Sequence, residues 1–428
     1  MSDNLEQTPD EIRERFIPVS RQEIVDDLIA APHWQDDDKK KFEQFCQIFE
    51  ALYHYKFHTN SEELKHSYAP FNPDADIVSK HDYSDEEKQK LNDSLVKELC
   101  QLLNDANYEE LTVDSINEAI SAESHYGVSV EVDLDDFEEM IAFYRGSTTM
   151  TEYKRTWYTL FIYKKAIEFP IYQRLFILLK FKSEEKRVEE LVKENGEDFE
   201  KKAKKQVKYS RQALPEDFTD GHIFIKLFKN LPRTDLEMLY PNQNVRLKLF
   251  DKIKLGVTGG GGLIAGLFSV ITKVAIAATN PIALIGAFFG FIGVIVRQVM
   301  NIFNQRTKYM MTLSKNLYFH NLDNNMGVMN YLIDTAEEEE GKEFVLAYYF
   351  LHTQPEKNYT QESLDSEIEA YIKEKYGCNI DFEVEDGLRK LRKEGILIEE
   401  DGGILKVLNL HDANVCLDNQ WDDFFNPE

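Results

Sequence analysis

The stretch 256-GVTGGGGLIAGLFSVITKVAIAATNPIALIGAFFGFIGVIVRQVM-300 interrupts a chain that is otherwise acidic and polar. Its first half, 257–278, holds one charge, Lys273, and its second, 281–296, holds none. Asn280-Pro281 divides them, because proline suits a first helical turn and disfavours helix in the residue before it. At ~1.5 Å per residue, about 22 residues rise roughly 33 Å and the second run, carried to Met300, roughly 30 Å, matching a hydrocarbon core of about 30 Å. The stretch reads as a two-helix transmembrane hairpin with spans at 257–278 and 281–300.

A competing reading is the buried centre of a large domain, where each glycine would lower helix propensity by about 1 kcal/mol. Three features favour the membrane. Gly262 and Gly266 form one G-x-x-x-G, and Gly286 and Gly290 another with Gly293 a turn further on, so each helix has a small-residue packing face. Leu, Ile, Val and Phe surround both helices without a polar stripe. Lys273 stands near the turn, where its stem can snorkel to the far interface.

The flanks set the topology. Arg246, Lys248, Lys252 and Lys254 precede the hairpin against a single Asp251, and Arg297, Arg306, Lys308 and Lys315 follow it with no acid up to Leu322. Under the positive-inside rule both termini face the cytoplasm or an equivalent compartment. These cations would meet the headgroups of a lipid bilayer without repulsion from the rest of the molecule.

The chain as a whole is strongly negative: 428 residues with a net charge of -27 and 43% hydrophobic content are enough for two or three domains. The acid excess argues against nucleic acid as a partner. Cys46, Cys100, Cys378 and Cys416 follow no C-x-x-C spacing, so neither a disulfide scaffold nor a zinc site is indicated and a reducing compartment fits. Residues 1–17 have no apolar signal region and no Arg-rich amphipathic pattern.

The predicted fold class is α+β, in five segments. Residues 1–143 read as a mainly helical N-terminal domain, with helices over 39–58, 86–105 and 113–121, an excursion at 61–76 forced by Pro70 and Pro73, and an edge strand before a helix capped at Asp135 or Asp136. Residues 144–240 read as a small antiparallel β-rich segment, interrupted at 183–211 by a charged excursion expected to be solvated. The basic-flanked hairpin occupies 241–308, and 233–254, alternating apolar and cationic, is expected at the membrane surface. A helix over 309–352 and a C-terminal winged-helix domain fill 309–410, and 411–428 is an acidic tail.

The winged-helix reading rests on three helices followed by two strands around Asp401-Gly402-Gly403. Such a domain meets DNA with the start of its recognition helix. Here that start is Asp381, Glu383, Glu385 and Asp386, which would repel phosphate, and Arg389, Lys390, Arg392 and Lys393 lie too far along to reverse this. A protein-binding or structural winged helix is the expectation.

Two constellations could carry other chemistry. His54 and His58 share a helix face at i and i+4, a spacing that can hold a metal, with Glu62 and Glu63 beyond, but no third ligand has diagnostic spacing. Glu337, Glu338, Glu339, Glu340 and Glu343 form a carboxylate cluster, yet consecutive helical residues point around the axis, so a solvated face is expected. No phosphate loop, nucleophile elbow, His-Glu-x-x-His or dinucleotide glycine pattern is present, and no metal, cofactor or catalytic residue is assigned.

FIPVSRQEIVDDLI, the HYKFH and YAPFNPDAD run, KLFKNLPRTDLEMLYPN, and NLYFHNLDNN with DTAEEEEGKEFVLAYYFL resemble a family of domains of unknown function found in bacteria, plants and animal transmembrane protein 143. The resemblance spans 16–410 and implies a two-span membrane protein with no catalytic residues to carry over; Asn72 departs from a run that more often reads F-D-P-D, and the lack of a transit-peptide pattern makes the bacterial inner membrane the expected location, with a mitochondrial membrane as the alternative. Two functions are then expected: a membrane-anchored, non-enzymatic scaffold or regulator that binds an unidentified protein partner, or a membrane-active effector whose hairpins from several copies form a homo-oligomeric pore or leak.

Overall fold

Alternate side chains of a strand point to opposite faces, and the run 175-LFILL-179 is apolar at every position, so it can be buried on both. The computed structural model describes residues 13–75, 80–121, 129–155, 164–211, 214, 218–242, 244–246, 318–400 and 402–425, with isolated positions 293, 296, 300, 307 and 311. Phe176 and Leu178 enter a large core on one face of the sheet, while Leu175, Ile177 and Leu179 enter a second core on the other.

The described elements are α1 (Arg21–Ile29), α2 (Asp36–Tyr68), α3 (Asp85–Asp105), β1 (Glu109–Glu110), α4 (Val113–Ser121), β2 (Ser129–Glu131), β3 (Phe137–Arg155), β4 (Lys164–Phe181), α5 (Glu184–Asn195), α6 (Glu200–Ser210), β5 (Ile223–Pro232) and β6 (Asn244–Arg246). After the apolar stretch come β7 (Asn321–Asn324), α7 (Met326–Thr353), α8 (Gln361–Tyr376), α9 (Val384–Lys393), β8 (Leu397–Glu400), β9 (Ile404–Val407) and α10 (Leu410–Asp423). The main sheet is antiparallel in the order β1-β3-β4-β5-β7, with β3 and β4 paired from Phe137↔Phe181 to Arg155↔Lys164. The α+β class holds.

Helix α7 is the centre of the large core. Phe344 stacks on Phe49 with ring centroids 3.7 Å apart, and Phe45 lies 4.1 Å from Tyr348, which fastens α2 to α7. The same core takes Ile24 and Leu28 from α1, Leu95 and Leu99 from α3, and Leu364, Leu388 and Leu405 from the C-terminal helices and hairpin. Helix α10 seats Ala413 and Leu417 in it as well, so residues 410–423 are a packed helix.

Several expectations change. The transmembrane hairpin, and with it the integral-membrane location, is corrected: among the described residues no helix is long and apolar enough to cross a membrane. Length alone is available, in α2 with 33 residues and α7 with 28, but both carry charge clusters, DDDKKK and EEEEGKE, that a hydrocarbon core would exclude. Gly262, Gly266, Gly286, Gly290, Lys248, Lys252, Lys254, Arg297, Arg306 and Lys308 lie outside the described residues. Gly293 is helical and exposed, with nothing among the described residues within 4 Å of where a Cβ would stand, and the backbone of Arg246 pairs with Ser129 in β2–β6.

Segment 233–242 is not a surface strip either: Leu236, Leu239 and Tyr240 are buried in the second core. The helix expected after Asp136 is β3 instead, because pairing with β4 offers Phe137 and Ala142 a buried sheet face. The excursion expected from Ser61 starts only at Asn72, since α2 continues to Tyr68 on the buried positions Ser61, Leu64 and Ser67. A strand, β7, precedes α7 where one long helix was expected.

Candidate functional site

The cluster 337-EEEEGKE-343 is where the expectation of a solvated face fails. Glu339, Glu340, Lys342 and Glu343 are all buried. Helical geometry sends Glu339 and Lys342 to one side of α7 and Glu340 and Glu343 to the other.

On the first side, the Lys342 Nζ lies 2.9 Å from Glu339 Oε1 and donates to the carbonyls of Ile17 at 2.7 Å and Val19 at 3.2 Å. Glu339 also pairs with Arg145 of β3 and accepts the Ile17 N–H at 3.3 Å. The segment 16-FIPVSR-21 is thereby strapped across α7. Gly341 permits this: a Cβ there would stand 2.6 Å from Cδ of Arg21.

On the second side, Lys390 of α9 places its Nζ 2.6 Å from Glu343 and 2.8 Å from Glu340, and Asn107 donates to Glu343 at 3.0 Å. Burial pushes the Glu343 carboxyl up to about 7 against the pull of Lys390. Asp105 is pushed up to about 6, chiefly by burial and against the pull of Lys390 and Arg389. One lysine faces several carboxylates, so a proton is retained among them near neutral pH.

The segment just upstream of the strap reaches the chain between α8 and α9. Glu14 forms a parallel bridge with Ile380, its N–H donating to the Asn379 carbonyl at 3.3 Å and its carbonyl accepting from Asp381 N–H at 2.9 Å. Arg13 pairs with Glu369 and lies 3.6 Å from Asp381, its Nε donating to the Ile380 carbonyl at 3.0 Å, and Arg15 pairs with Glu383. An extended Arg-Glu-Arg stretch thus lies along an acidic rim.

Beyond that rim opens a cleft of about 480 Å³, lined by Gln361, Glu362, Asp365, Phe382, Glu383, Val384, Glu385, Asp386 and Arg389. Thr360 caps α8, whose first turns supply Gln361, Glu362 and Asp365, through a reciprocal bond with Ser363. Val384 is buried beneath, and Asp386 is tied to Arg389 at 2.9 Å. Burial, then Glu369 and Asp381, push the Asp365 carboxyl up to about 6, and its Oδ1 has no hydrogen-bond partner among the described residues. Glu362 and Glu385 have no ion-pair partner among the described residues. The cleft can take a positively charged side chain, with an apolar wall at Phe382 to receive its stem.

Residues 172–327 match a family described as Protein of unknown function (DUF3754). That region begins in β4, contains α5, α6, β5 and β7 and ends at the start of α7, so it leaves out the cleft and the strap. No solved structure matches the chain.

Of the residues singled out beforehand, Glu383, Glu385, Asp386 and Arg389 line this cleft and Asp381 stands beside Arg13 on its rim, whereas Lys390 points away into the core. His54 and His58 do not converge: His54 Nδ1 lies 3.0 Å from Glu337 Oε2, and His58 stands against Tyr55. Among the described residues no group of His, Cys, Asp and Glu has the arrangement of a metal site. Arg13, Arg15, Asp365 and Glu369 went unremarked, because nothing local in the sequence joins residue 13 to residue 369.

Proposed function

We propose that this chain is a non-enzymatic interaction protein whose winged-helix cleft binds an extended, basic segment of a protein partner. One observation carries the reading: the chain's own residues 13–15 already lie on the rim of that cleft in extended form, with Arg13 and Arg15 paired to Glu369, Asp381 and Glu383. Main-chain pairing with 379–381 supplies register and the acids supply selection for cationic side chains, as in strand-addition recognition. Glu362 and Glu385 extend the same charge pattern into the cleft.

The resemblance to the family that includes animal transmembrane protein 143 belongs to this proposal too. It brings no catalytic residue.

The test is fluorescence anisotropy of the full chain with a labelled Arg/Lys-rich peptide of about ten residues. Glu362→Lys with Glu385→Lys should weaken binding by about tenfold, while Glu185→Lys with Glu189→Lys, an equal charge change on α5, should leave it nearly unchanged. Equal weakening by both pairs would reduce the interaction to net charge, and absence of peptide binding would remove the proposal.

A further inference from the structure

A second surface has the opposite sign. Helix α6, EKKAKKQVKYS, carries five lysines in 11 residues of a chain whose net charge is -27. Ala203 and Val207 on one side pack with Val188 and Leu191 of α5 in a small core of their own. With ~100° between successive residues, the opposite side of α6 carries Lys201, Lys202, Lys205, Lys208 and Tyr209. Among the described residues only Lys204 of the five has an ion pair, with Glu200 at 2.6 Å.

The α5–α6 unit is held firmly. Arg187 is buried and bonded to Asp133 at 2.8 Å, Asp136 at 3.2 Å and Glu190 at 3.3 Å, and Asn242 donates to the same Asp136 at 3.2 Å. Beside the lysines lies a cleft of about 710 Å³ lined by Glu184, Lys202, Lys205, Gln206, Lys208, Tyr209 and Arg211. Tyr209 is 62% exposed, so an aromatic face stands open next to three cations. Arg211 closes the back: it is buried, paired with Asp220 at 3.0 Å, bonded to the Lys182 carbonyl at 2.6 Å, and its Nε has no hydrogen-bond partner among the described residues.

We infer that the outer face of α6 is a docking surface for an acidic peptide segment of a partner protein, independent of the winged-helix cleft. Charge complementarity selects an anion, and the extent of the patch selects the kind. Fields are screened within ~10 Å at ordinary salt, so a short acidic segment in contact with this island experiences the lysines and little of the surrounding negative charge. Nucleic acid binding depends on many phosphate contacts over a broad positive face, and its charge would extend past the island onto acidic surface.

The experiment uses the full chain, a labelled peptide of about ten residues alternating Glu and Ser, a Gln/Ser peptide of the same length, and a single-stranded oligonucleotide of similar length at about 50 mM salt. The acidic peptide should bind at tens of micromolar or tighter, lose at least about tenfold in Lys202→Glu, Lys205→Glu, Lys208→Glu, and lose most of its affinity at about 0.5 M salt, with the Gln/Ser peptide inert. These side chains are exposed, so the melting temperature of the triple variant should match the parent. No binding by the parent, or binding unaffected by the triple variant, overturns the inference, and tighter binding of the oligonucleotide than of the peptide overturns the choice of partner.

Discussion

Lys390 reaches Glu343 at 2.6 Å across the contact between α9 and α7, and both side chains are buried. Helix α9 is therefore joined to the central helix by a charged bond beside the buried apolar residues Leu388 and Leu391. A buried pair of this kind contributes little net stability when intact and costs much when half of it is removed.

Lys390→Met should destabilise the chain by about 3 to 5 kcal/mol, since Glu340 and Glu343 are left buried without their cation. Adding Glu343→Leu should recover part of that loss by removing one orphaned carboxylate. Urea denaturation of the two variants beside the parent measures both steps.

The raised Glu343 carboxyl makes stability depend on pH. Its folded value, about 7, exceeds the ordinary 4.5, so its contribution is fully present below about 4.5 and is lost as pH rises through about 7. Glu343→Gln cannot ionise. Its stability should fall less steeply than the parent's between pH 5 and 8, by on the order of 3 kcal/mol over that window. Parallel curves for parent and variant in chemical denaturation at several pH values would sink this account.

Gly387 lets α9 approach the α7 backbone: a Cβ there would stand 2.8 Å from the Glu343 carbonyl oxygen and 3.2 Å from the Ala347 Cβ. Because the first obstacle is backbone, neither helix can yield by turning a side chain. Gly387→Ala should lower stability by about 1 to 3 kcal/mol despite alanine's better helix propensity, read as a drop in thermal midpoint.

Asn325 holds φ at 49° while its Oδ1 accepts the Ile225 N–H at 3.0 Å and its Nδ2 bonds Asp74. Asn325→Ala removes both bonds and keeps the left-handed backbone, a loss of about 2 to 4 kcal/mol. Hydrogen exchange at the Ile225 amide should accelerate, because that donor then lacks its side-chain acceptor. Unchanged exchange there would show that the Asn325 side chain is not its protecting group.

Helix limits were legible wherever a local device sets them. Ser84 and Glu87 form a reciprocal capping box at the start of α3, Gly377 closes α8 with φ 70°, and α4 spans the 113–121 read from the sequence. The two-sided burial of 175–179 and the helix-helix-helix-hairpin order at the C terminus were likewise written in short-range pattern. Asn72 shows the limit of such reading. Its Oδ1 accepts the Asp74 N–H at 3.0 Å, a local turn that any Asx residue supplies, while Asp74's bond to Asn325 is invisible locally.

What the sequence by itself determined is therefore the α+β class, the limits of locally capped helices such as α3 and α8, and the acidic start of α9, because caps, period and charge act within a turn or two of the chain. Only the tertiary structure decided the fate of the charges. Glu339, Glu340 and Glu343 look like a solvated stripe until Arg145, Lys342, Lys390 and the Ile17 N–H are brought to them. A carboxylate can leave water only where a cation or donor replaces the solvent, and those partners come from as far as 322 residues away. The same holds for the acidic cleft, whose rim is an ordinary exposed surface until residues 13–15 are laid along it.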